Sequence, residues 1–350
     1  MKQLGLGVVG AGGIARNGHM AGARYAAEVR PVACSDVDIT KADALAADFC
    51  MEKAYTDYAE VISHPGVNAV LVCTPPKFHK EIAVSAARAG KHVLCEKPMA
   101  LNVAEAQEMI DAARENNVLL VVGEPKRYNP GFRKMKSIID EGVIGEPFMA
   151  RYHNSYCELH TRSSWWVVPE ISGGGERMNE LTHQANTLRW FFGEVIEVTC
   201  MSNHPLGPPP EDNACVSARF ENGVIATITV SWMTRHYNLT FPAPLDHAWD
   251  ERIEVFGKEG SVIIETPIGY WDVPAQLRVY TEKEVPGYIN GWSYVKVGSA
   301  NNFTDQMRHF ADCVLNGTPS EVPGEEGLAD LAMVRAAYES EETGKTVKLR

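Results

Sequence analysis

The stretch LGLGVVGAGGIA, residues 4–15, joins a short apolar run to a glycine-rich turn and to the start of a helical pattern. Gly10, Gly12 and Ala15 fit the spacing G-x-G-x-x-A. In such a turn the first glycine bends the chain, the second lets the backbone approach a pyrophosphate, and the third small residue lets the helix pack closely on the strand. The stretch predicts a dinucleotide-binding unit, and its surroundings must support that interpretation because the string alone is common.

An acidic residue follows at the distance that such a unit requires. The next apolar run, RPVACS, ends at Asp36, about 20 residues beyond the turn. A carboxylate at this point accepts hydrogen bonds from ribose hydroxyls, and neither of the next two residues is an arginine that would hold a 2′-phosphate. Capping of the turn alone is the alternative role. We expect NAD rather than NADP, bound at Gly10, Gly12, Gly13, Ile14 and Asp36.

The pattern of apolar residues predicts two domains. Up to residue 124, the runs LGLGVV, RPVACS, AVLVC, KHVLC and VLLVV alternate with helical patterns near 14–27, 40–49, 77–89 and 103–116, which is typical of a doubly wound parallel sheet. Longer alternating segments such as FMARYHNSY and VIATITVSW follow, and helical patterns near 303–316 and 325–342 close the chain. These predict an α+β domain on a largely antiparallel open sheet. The expected domains are 1–124, binding NAD, and 125–350, for substrate binding and oligomerisation.

Composition narrows the class of partner. The net charge of −12 disfavours nucleic acid and anionic membranes, and no apolar run reaches the length of a membrane span. The N-terminal residues lack the pattern of a signal peptide, so we expect a cytoplasmic protein with small-molecule partners. The eight cysteines form no C-x-x-C pair and are expected to be reduced and buried. The histidines show no zinc-binding spacing, so no metal is expected.

Two segments follow predicted parallel strands, where open α/β sheets bind ligands. Thr74, Pro75 and Pro76 come after AVLVC, and Glu96-Lys97-Pro98 comes at the end of KHVLC. A lysine in such a loop can hold a substrate hydroxyl and exchange its proton. A solvated surface lysine is the alternative, and the Lys-Pro bond can be cis. The expected cofactor contacts here are Thr74, Pro75, His79, Glu96 and Lys97, and Lys97 is also a catalytic candidate.

The stretch GGGERMNELTHQAN, residues 173–186, has helical spacing. One apolar stripe consists of Met178, Leu181, Ala185, Leu188 and Phe192. Asn179, His183, Asn186 and Trp190 form a second row nearly opposite. This row offers donors, acceptors and an apolar plate for a hydroxylated substrate. A solvated face is the alternative, and the neighbouring Glu176 and Glu180 favour it.

Further polar and aromatic residues are candidates for the substrate site. The expected substrate contacts are Arg127, Tyr128, Tyr156, Arg162, Trp165, Trp166, Asn179, His183 and Asn186. His153 and His160 lie in the same region, and Arg235-His236 or Arg162 could recognise an anionic group. Either tryptophan could instead pack in the core.

The glycine turn, the run TPPKFHKEIAVSAARAGKHVLCEKPMA (74–100), GEPFMARY (145–152) and the triple glycine with His183 resemble the Gfo/Idh/MocA family, which contains glucose-fructose oxidoreductase and inositol dehydrogenase. The resemblance spans almost the whole chain. It implies a Rossmann domain, a second domain with an open sheet, a nicotinamide cofactor, and sugar or cyclitol substrates. It also implies homodimers or homotetramers formed through that sheet.

One departure from the family pattern concerns the second row. The family's matching segment carries Asp, then His four residues later, then Asp three residues after that. His183 matches, whereas Asn179 and Asn186 replace the acids. An amide does not raise the basicity of a neighbouring histidine as a carboxylate does.

We expect an NAD-dependent oxidoreductase acting on a carbohydrate or polyol hydroxyl, with Lys97 polarising the hydroxyl and His183 as general base. An NAD-dependent glycosidase, which oxidises transiently, eliminates, hydrates and reduces, is the first alternative. A non-catalytic NAD-binding regulator is the second.

Overall fold

The computed structural model describes residues 2–157, 164–207, 210–234, 249–266 and 275–349. The chain divides into two compact units. The first consists of Met1–Pro125 with Asn301–Leu331, and the second of Lys126–Ala300 with Ala332–Arg350.

The described elements are numbered along the chain. The strands β1 to β15 are Leu4–Val9, Val29–Ser35, Lys53–Tyr55, Ala69–Val72, His92–Glu96, Leu120–Gly123, Pro147–Tyr156, Val195–Asn203, Asn213–Phe220, Ile225–Ser231, Trp249–Gly257, Gly260–Thr266, Gln276–Thr281, Gly291–Val295 and Val347–Lys348. The helix α1 is π-helical over Ile14–Met20 and continues over Ala21–Ala23. The helices α2 to α10 are Ile39–Asp48, Tyr58–Ser63, His79–Arg88, Val103–Glu115, Pro130–Asp140, Pro169–Ser172, Thr182–Phe192, Asn302–Asn316 and Gly324–Thr343.

The first unit contains the predicted doubly wound parallel sheet. Its strand order is β3-β2-β1-β4-β5-β6, and every neighbouring pair is parallel. All residues of β1, β4 and β6 are buried, as expected for strands covered on both faces. The order reverses between β1 and β4, which is where folds of this kind bind ligands.

The predicted extent of the second domain, 125–350, is corrected by the position of residues 301–331. The helix α9 packs on α1, with Phe303, Met307 and Phe310 buried. Gly22 leaves room for this contact, because a Cβ there would lie 2.7 Å from the Phe303 Cβ. Beyond α9, the backbone N–H of Val122 in β6 donates to the carbonyl of Val322. This segment therefore completes the first unit.

The second unit is built on the predicted largely antiparallel sheet. Nine strands lie in the order β14-β13-β12-β11-β7-β10-β9-β8-β15. Only the pair β7–β10 is parallel among those described. Burial alternates along strands such as β9, so one face is covered and the other is exposed.

Two further expectations concern the whole chain. All eight cysteines are free, but Cys50 and Cys215 are exposed, which corrects the expectation that all are buried. Cys50 lies in the turn after α2, and Cys215 lies at an outward-facing position of β9. Among the helices described, none combines the length and apolar character needed to cross a membrane.

Candidate cofactor and substrate sites

The glycine turn of the first unit leaves its backbone open where a pyrophosphate would approach. Gly10 has φ +93° and a Cβ there would lie 2.7 Å from the carbonyl carbon of Cys73, so only glycine fits. A Cβ added to Gly12 or Gly13 would meet nothing within 4 Å. The next residue, Ile14, is exposed. This turn suits a phosphate group bound by backbone N–H groups.

The Asp36 carboxylate is fixed beside this turn. Its Oδ2 accepts from the N–H of Ala11 at 2.8 Å, and its Oδ1 accepts from the N–H of Asp38 at 3.0 Å. Asp36 thus has the turn-capping role, and the cap also holds the carboxylate at the end of β2. A ribose hydroxyl bound there would meet an acceptor already in place.

A buried hydroxyl supports the fit of a dinucleotide. Thr74 follows β4, and its backbone nitrogen lies 2.9 Å from the Cβ position of Gly10. The Thr74 Oγ1 is buried and has no hydrogen-bond partner among the described residues. Such a hydroxyl needs a partner, and a polar atom of a bound cofactor can supply it.

His79 connects the loops that follow β4 and β5. Its ring is buried, with Nε2 2.6 Å from the carbonyl oxygen of Thr74 and Nδ1 3.0 Å from that of Pro98. Burial lowers the pKa of His79, although the two carbonyls act in the opposite direction. Both ring nitrogens face protein carbonyls, so any contact of His79 with a cofactor would use other atoms, and the contact stays a prediction.

The Glu96-Lys97-Pro98 turn has a cis peptide bond before Pro98, as the sequence allowed. The Glu96 Oε1 lies 2.5 Å from Nε2 of His19, and its Oε2 accepts from the Lys97 N–H at 3.0 Å. Burial acts to raise the pKa of Glu96, but the hydrogen bond from His19 and the charge of Lys97 hold it below its usual value. Lys97 is half-buried, which argues against a fully solvated lysine.

Sequence reasoning missed His19. It lies in α1 only a few residues after the glycine turn. A lone histidine within a helical pattern is usually a core residue, and nothing local indicated that Glu96 would be its partner. Its position directly after a dinucleotide turn was the signal available.

In the second unit, the row that contains His183 is partly buried, with Asn179 and Trp190 at intermediate exposure. A π-helical stretch, Arg177–Leu181, leads into α8. The predicted apolar stripe from Met178 to Phe192 is buried. His183 is 5% exposed and Asn186 is 1% exposed, which excludes the solvated alternative for both. Glu176 and Glu180 are buried as well, so they do not mark a solvated face.

The row is held by residues that were expected to bind substrate. The Asn179 Nδ2 donates to Oη of Tyr156 at 2.7 Å, and that hydroxyl donates to Glu176 at 3.0 Å. The Arg127 Nε donates to Oδ1 of Asn186 at 2.6 Å, and its guanidinium lies 5.0 Å from the centre of the Trp190 ring. The structure thus brings Arg127, Tyr156, Asn179 and Asn186 around the helix that carries His183.

The triple glycine has a packing role. A Cβ on Gly174 would lie 1.9 Å from Oη of Tyr338, and one on Gly175 would lie 2.3 Å from the carbonyl oxygen of Glu211. Tyr338 Oη donates to Oε1 of Glu211 at 2.7 Å and accepts from the Gly175 N–H at 3.1 Å. These contacts fix the start of the helix that carries His183.

A buried charged cluster near the same helix was also missed. Lys126 pairs with Glu251, and Tyr152 Oη donates to Oε1 of Glu251 at 2.6 Å. Asn154 Nδ2 donates to Oε2 of Glu180 at 2.6 Å, and Lys126 lies 4.0 Å from that oxygen. Burial, followed by the charge of Glu251, raises the pKa of Tyr152. In the sequence, Lys126 and Arg127 form an ordinary pair of basic residues, so nothing indicated that Lys126 is buried.

Other candidates lie elsewhere. His153 is on the opposite face of β7 from Tyr156, where it contacts Thr229 Oγ1 at 2.7 Å, so it is not part of the row. Trp165 and Trp166 are half-buried and stack on each other with ring centres 4.0 Å apart. Tyr128 is buried beneath the guanidinium of Arg133. His160, Arg162 and Arg235-His236 lie outside the described residues.

The comparisons with known proteins agree with this architecture. The model described as the NAD-binding Rossmann fold of the GFO/IDH/MocA oxidoreductase family matches residues 4–124, and the model of a GFO/IDH/MocA C-terminal domain matches residues 132–263. The chain is 30% identical over 352 residues to 1,5-anhydro-D-fructose reductase of Ensifer adhaerens, which covers 98% of each chain. It is 28% identical over 309 residues to myo-inositol 2-dehydrogenase of Thermotoga maritima, 85% of each chain.

A solved structure shows the same fold. The aldose-aldose oxidoreductase from Caulobacter crescentus, complexed with glycerol, superposes with a TM-score of 0.87 at 24% identity, over 99% of this chain and 100% of that one. The first unit is an NAD-binding Rossmann domain. The chain belongs to the GFO/IDH/MocA oxidoreductase family.

Proposed function

We propose that the protein is an NAD-dependent oxidoreductase that interconverts a hydroxyl and a carbonyl on a carbohydrate or polyol. The observation that carries the proposal is the Glu96-Lys97-Pro98 turn, which holds a half-buried lysine at the carboxyl end of β5, an inner strand of an NAD-binding sheet. The two relatives above are named for a cyclitol and an anhydro sugar, both of which are polyhydroxylated.

The residues divide the work of the reaction. Gly10, Gly12 and Gly13 would hold the pyrophosphate of NAD, Asp36 its ribose, and Thr74 another polar atom. NAD, when bound, supplies the acceptor for the hydride that leaves the carbinol carbon. Lys97 donates a hydrogen bond to the substrate oxygen and stabilises negative charge on it, and His183 takes the hydroxyl proton.

The carboxamides of Asn179 and Asn186 indicate what kind of substrate the site binds. Each of Asn179 and Asn186 has a donor and an acceptor in its side chain, which suits hydroxyl groups. Asn186 presents its oxygen to Arg127, which fixes the amide orientation. Because Asn179 and Asn186 stand where the family has acids, we infer a polyhydroxylated substrate bound through hydrogen bonds to the two amides. Tyr156, Tyr128 and a ring of Trp165 or Trp166 are further contacts in this proposal.

We also propose a homodimer or homotetramer formed through the outer face of the nine-stranded sheet. Met201 and Ile225 are exposed there at 75 and 44%. Exposed apolar side chains on an open sheet favour association. Sedimentation equilibrium of the wild type and of Met201→Glu measures this, and a monomeric wild type would contradict it.

Incubation of the purified protein with NAD and a panel of free sugars, polyols and glycosides tests the function. NADH formation and aglycone release are both followed. Net NADH supports the dehydrogenase. Aglycone release without net NADH would indicate the glycosidase instead, and neither signal, despite NAD binding, would indicate a regulator.

Lys97→Ala should lower turnover by about 10²–10⁴-fold, because a positioned proton-transfer group contributes about this much. Folding and NAD affinity should stay nearly unchanged. Lys77→Ala, which removes an exposed lysine on the short helix Pro76–Phe78, is the matched control. Wild-type turnover of Lys97→Ala with an active substrate would remove Lys97 from the mechanism, and a loss of NAD binding alone would give it a cofactor role.

A further inference from the structure

A buried chain of hydrogen bonds ends at the backbone of Lys97. Gln306 Nε2 lies 3.3 Å from Nδ1 of His19, His19 Nε2 lies 2.5 Å from Oε1 of Glu96, and Oε2 of Glu96 accepts from the Lys97 N–H at 3.0 Å. His19 and Gln306 are fully buried, and Glu96 is 7% exposed. We propose that His19, Glu96 and Gln306 are positioning residues that hold Lys97 for the reaction. The proposal rests on the proposed function of Lys97.

The direction of each hydrogen bond follows from its donors. The amide nitrogen of Gln306 can only donate, so Nδ1 of His19 is the acceptor and its proton lies on Nε2. That Nε2–H donates to the Glu96 carboxylate. The second oxygen of the same carboxylate accepts from the Lys97 N–H, so the position of this peptide depends on the orientation of the carboxylate.

The helix α9 supplies the outer end of the chain and fixes it. The Phe303 ring meets His19 edge to face, with ring centres 5.0 Å apart at 74°. Gly18 leaves room for that ring, because a Cβ there would lie 2.8 Å from its Cζ. His19 itself lies in the π-helical part of α1, and such stretches are frequent at functional sites. Residues 301–331 therefore do more than bury apolar surface of the first unit, because they also supply the residues that fix His19.

The variants Glu96→Gln and Glu96→Ala distinguish a positioning role of these residues from a merely structural one. In Glu96→Gln, the amide oxygen can still accept from the Lys97 N–H, and the amide nitrogen can donate to Nε2 of His19. The histidine proton then moves to Nδ1, and Gln306 can present its Oε1, which has no partner among the described residues. The geometry survives without the charge. In Glu96→Ala the geometry is lost.

The full-length variants Glu96→Ala, Glu96→Gln, His19→Ala and Gln306→Met are compared with wild type. The measurements are Tm, NAD affinity, and kcat and KM with the polyol or sugar that gives most NADH in the panel. Glu96→Ala should lose about 10²-fold in kcat, the effect of displacing a reacting group by about 1 Å. Glu96→Gln should keep most of kcat, and Gln306→Met should lose less than Glu96→Ala with KM nearly unchanged.

Thr304→Val is the matched control. Thr304 lies in α9 and donates to the carbonyl of Gly22 at 3.0 Å, outside the chain of hydrogen bonds. The Thr304→Val variant should have a lower Tm and an unchanged kcat. Wild-type kcat in Glu96→Ala and Gln306→Met, or equal losses in Glu96→Ala and Glu96→Gln, would overturn the positioning role. If Lys97→Ala itself keeps wild-type turnover, the proposed function fails instead, whatever the other variants show.

Discussion

At the scale of single residues, buried polar groups in this protein meet partners that lie far apart in the sequence. His19 and Glu96 are 77 residues apart, and Lys126 and Glu251 are 125 apart. Both pairs are buried, so the partners offset the cost of removing charge from water. The same burial sets the protonation of other side chains, with consequences for stability.

Two histidines should make stability depend on pH. Burial lowers the pKa of His79 and of His92. In the unfolded chain each takes up a proton near its ordinary pKa of about 6.5. Below that pH the unfolded state binds protons that the folded state does not, so stability is fully present above about pH 6.5 and is lost as pH falls toward the folded values. Each histidine changes the free energy of unfolding by at most about 1.4 kcal/mol per pH unit.

The measurement is Tm between about pH 7.5 and 5, compared in wild type and His92→Asn. His92 Nδ1 accepts from the Leu119 N–H, and the Oδ1 of asparagine, which is also bonded to Cγ, can replace it. The variant should show a shallower fall of Tm with acid. Glu96, with its lowered pKa, loses its contribution only below its ordinary pKa, near 4.5. Parallel curves for the two proteins would show that His92 is not one of the groups responsible.

Asp36 should decide between NAD and NADP. Its carboxylate is oriented by the N–H groups of Ala11 and Asp38, so Asp36→Ala removes a fixed acceptor and a charge that repels a 2′-phosphate. NAD should bind about 10–100-fold more weakly, as expected for loss of hydrogen bonds to a charged group. The gap between NAD and NADP affinities should narrow. Asp38→Ala, which removes only the N-cap of α2, should leave the ratio of affinities unchanged.

These titrations have a clear contrary outcome. Equal or tighter binding of NADP by the wild type would contradict the assignment of Asp36.

Local spacing sufficed to find Asp36 and the glycines of the turn, because all of them belong to one strand-turn-helix unit. His19 and Lys126 could not be found in this way, because their partners come from other parts of the chain.

At the scale of elements, the periodicity of residues 173–192 predicted the buried apolar stripe, but neither the burial of nearly all of α8 nor the π-helical stretch Arg177–Leu181. The stretch begins where Arg177 is held on three sides. Its N–H donates to Oε1 of Glu211, its side chain pairs with Glu211 and Glu341, and its guanidinium lies 3.8 Å from the centre of the Tyr338 ring. Tertiary contacts of this kind leave no local pattern in the sequence.

Gly174→Ala should disturb this element. Its Cβ would lie 1.9 Å from Tyr338 Oη, so either Tyr338 or the start of the helix must move. Overpacking of this kind costs about 1–3 kcal/mol or more. Because the same helix carries Asn179 and His183, turnover should fall along with Tm. Gly223→Ala is the control, since it has φ +89° but nothing within 4 Å of the new Cβ.

In that control, backbone strain should lower Tm without lowering turnover measured well below Tm. Turnover equal to wild type in Gly174→Ala would mean that the helix keeps its position despite the collision. A larger activity loss in Gly223→Ala than in Gly174→Ala would also contradict the packing role of the triple glycine.

At the scale of the whole molecule, the strands and their alternation were predictable, because a doubly covered parallel sheet and a half-exposed antiparallel sheet leave different apolar patterns. The strands β3, β8, β14 and β15 were not predicted. Of these, β3 and β15 have only three and two residues, which carry no period. The helix near 303–316 was predicted as well. Its apolar face showed that it packs on something, but a pattern within one helix cannot show which sheet it covers.

The return of residues 301–331 should be required for the first unit to fold. A chain of residues 1–125 alone would expose the surface of α1 that Phe303 and Met307 cover, and would leave the Val122 N–H without the Val322 carbonyl. Joining residues 1–125 to residues 301–331 through a flexible Gly/Ser linker should restore the cover over α1 and the hydrogen bond from Val122 to Val322. Circular dichroism melting and NAD titration compare the two chains. The joined chain should melt cooperatively and bind NAD, whereas residues 1–125 should show a broad transition and weak binding. A cooperative melt and equal NAD affinity for 1–125 alone would show that the segment is only an accessory to a sheet that folds by itself.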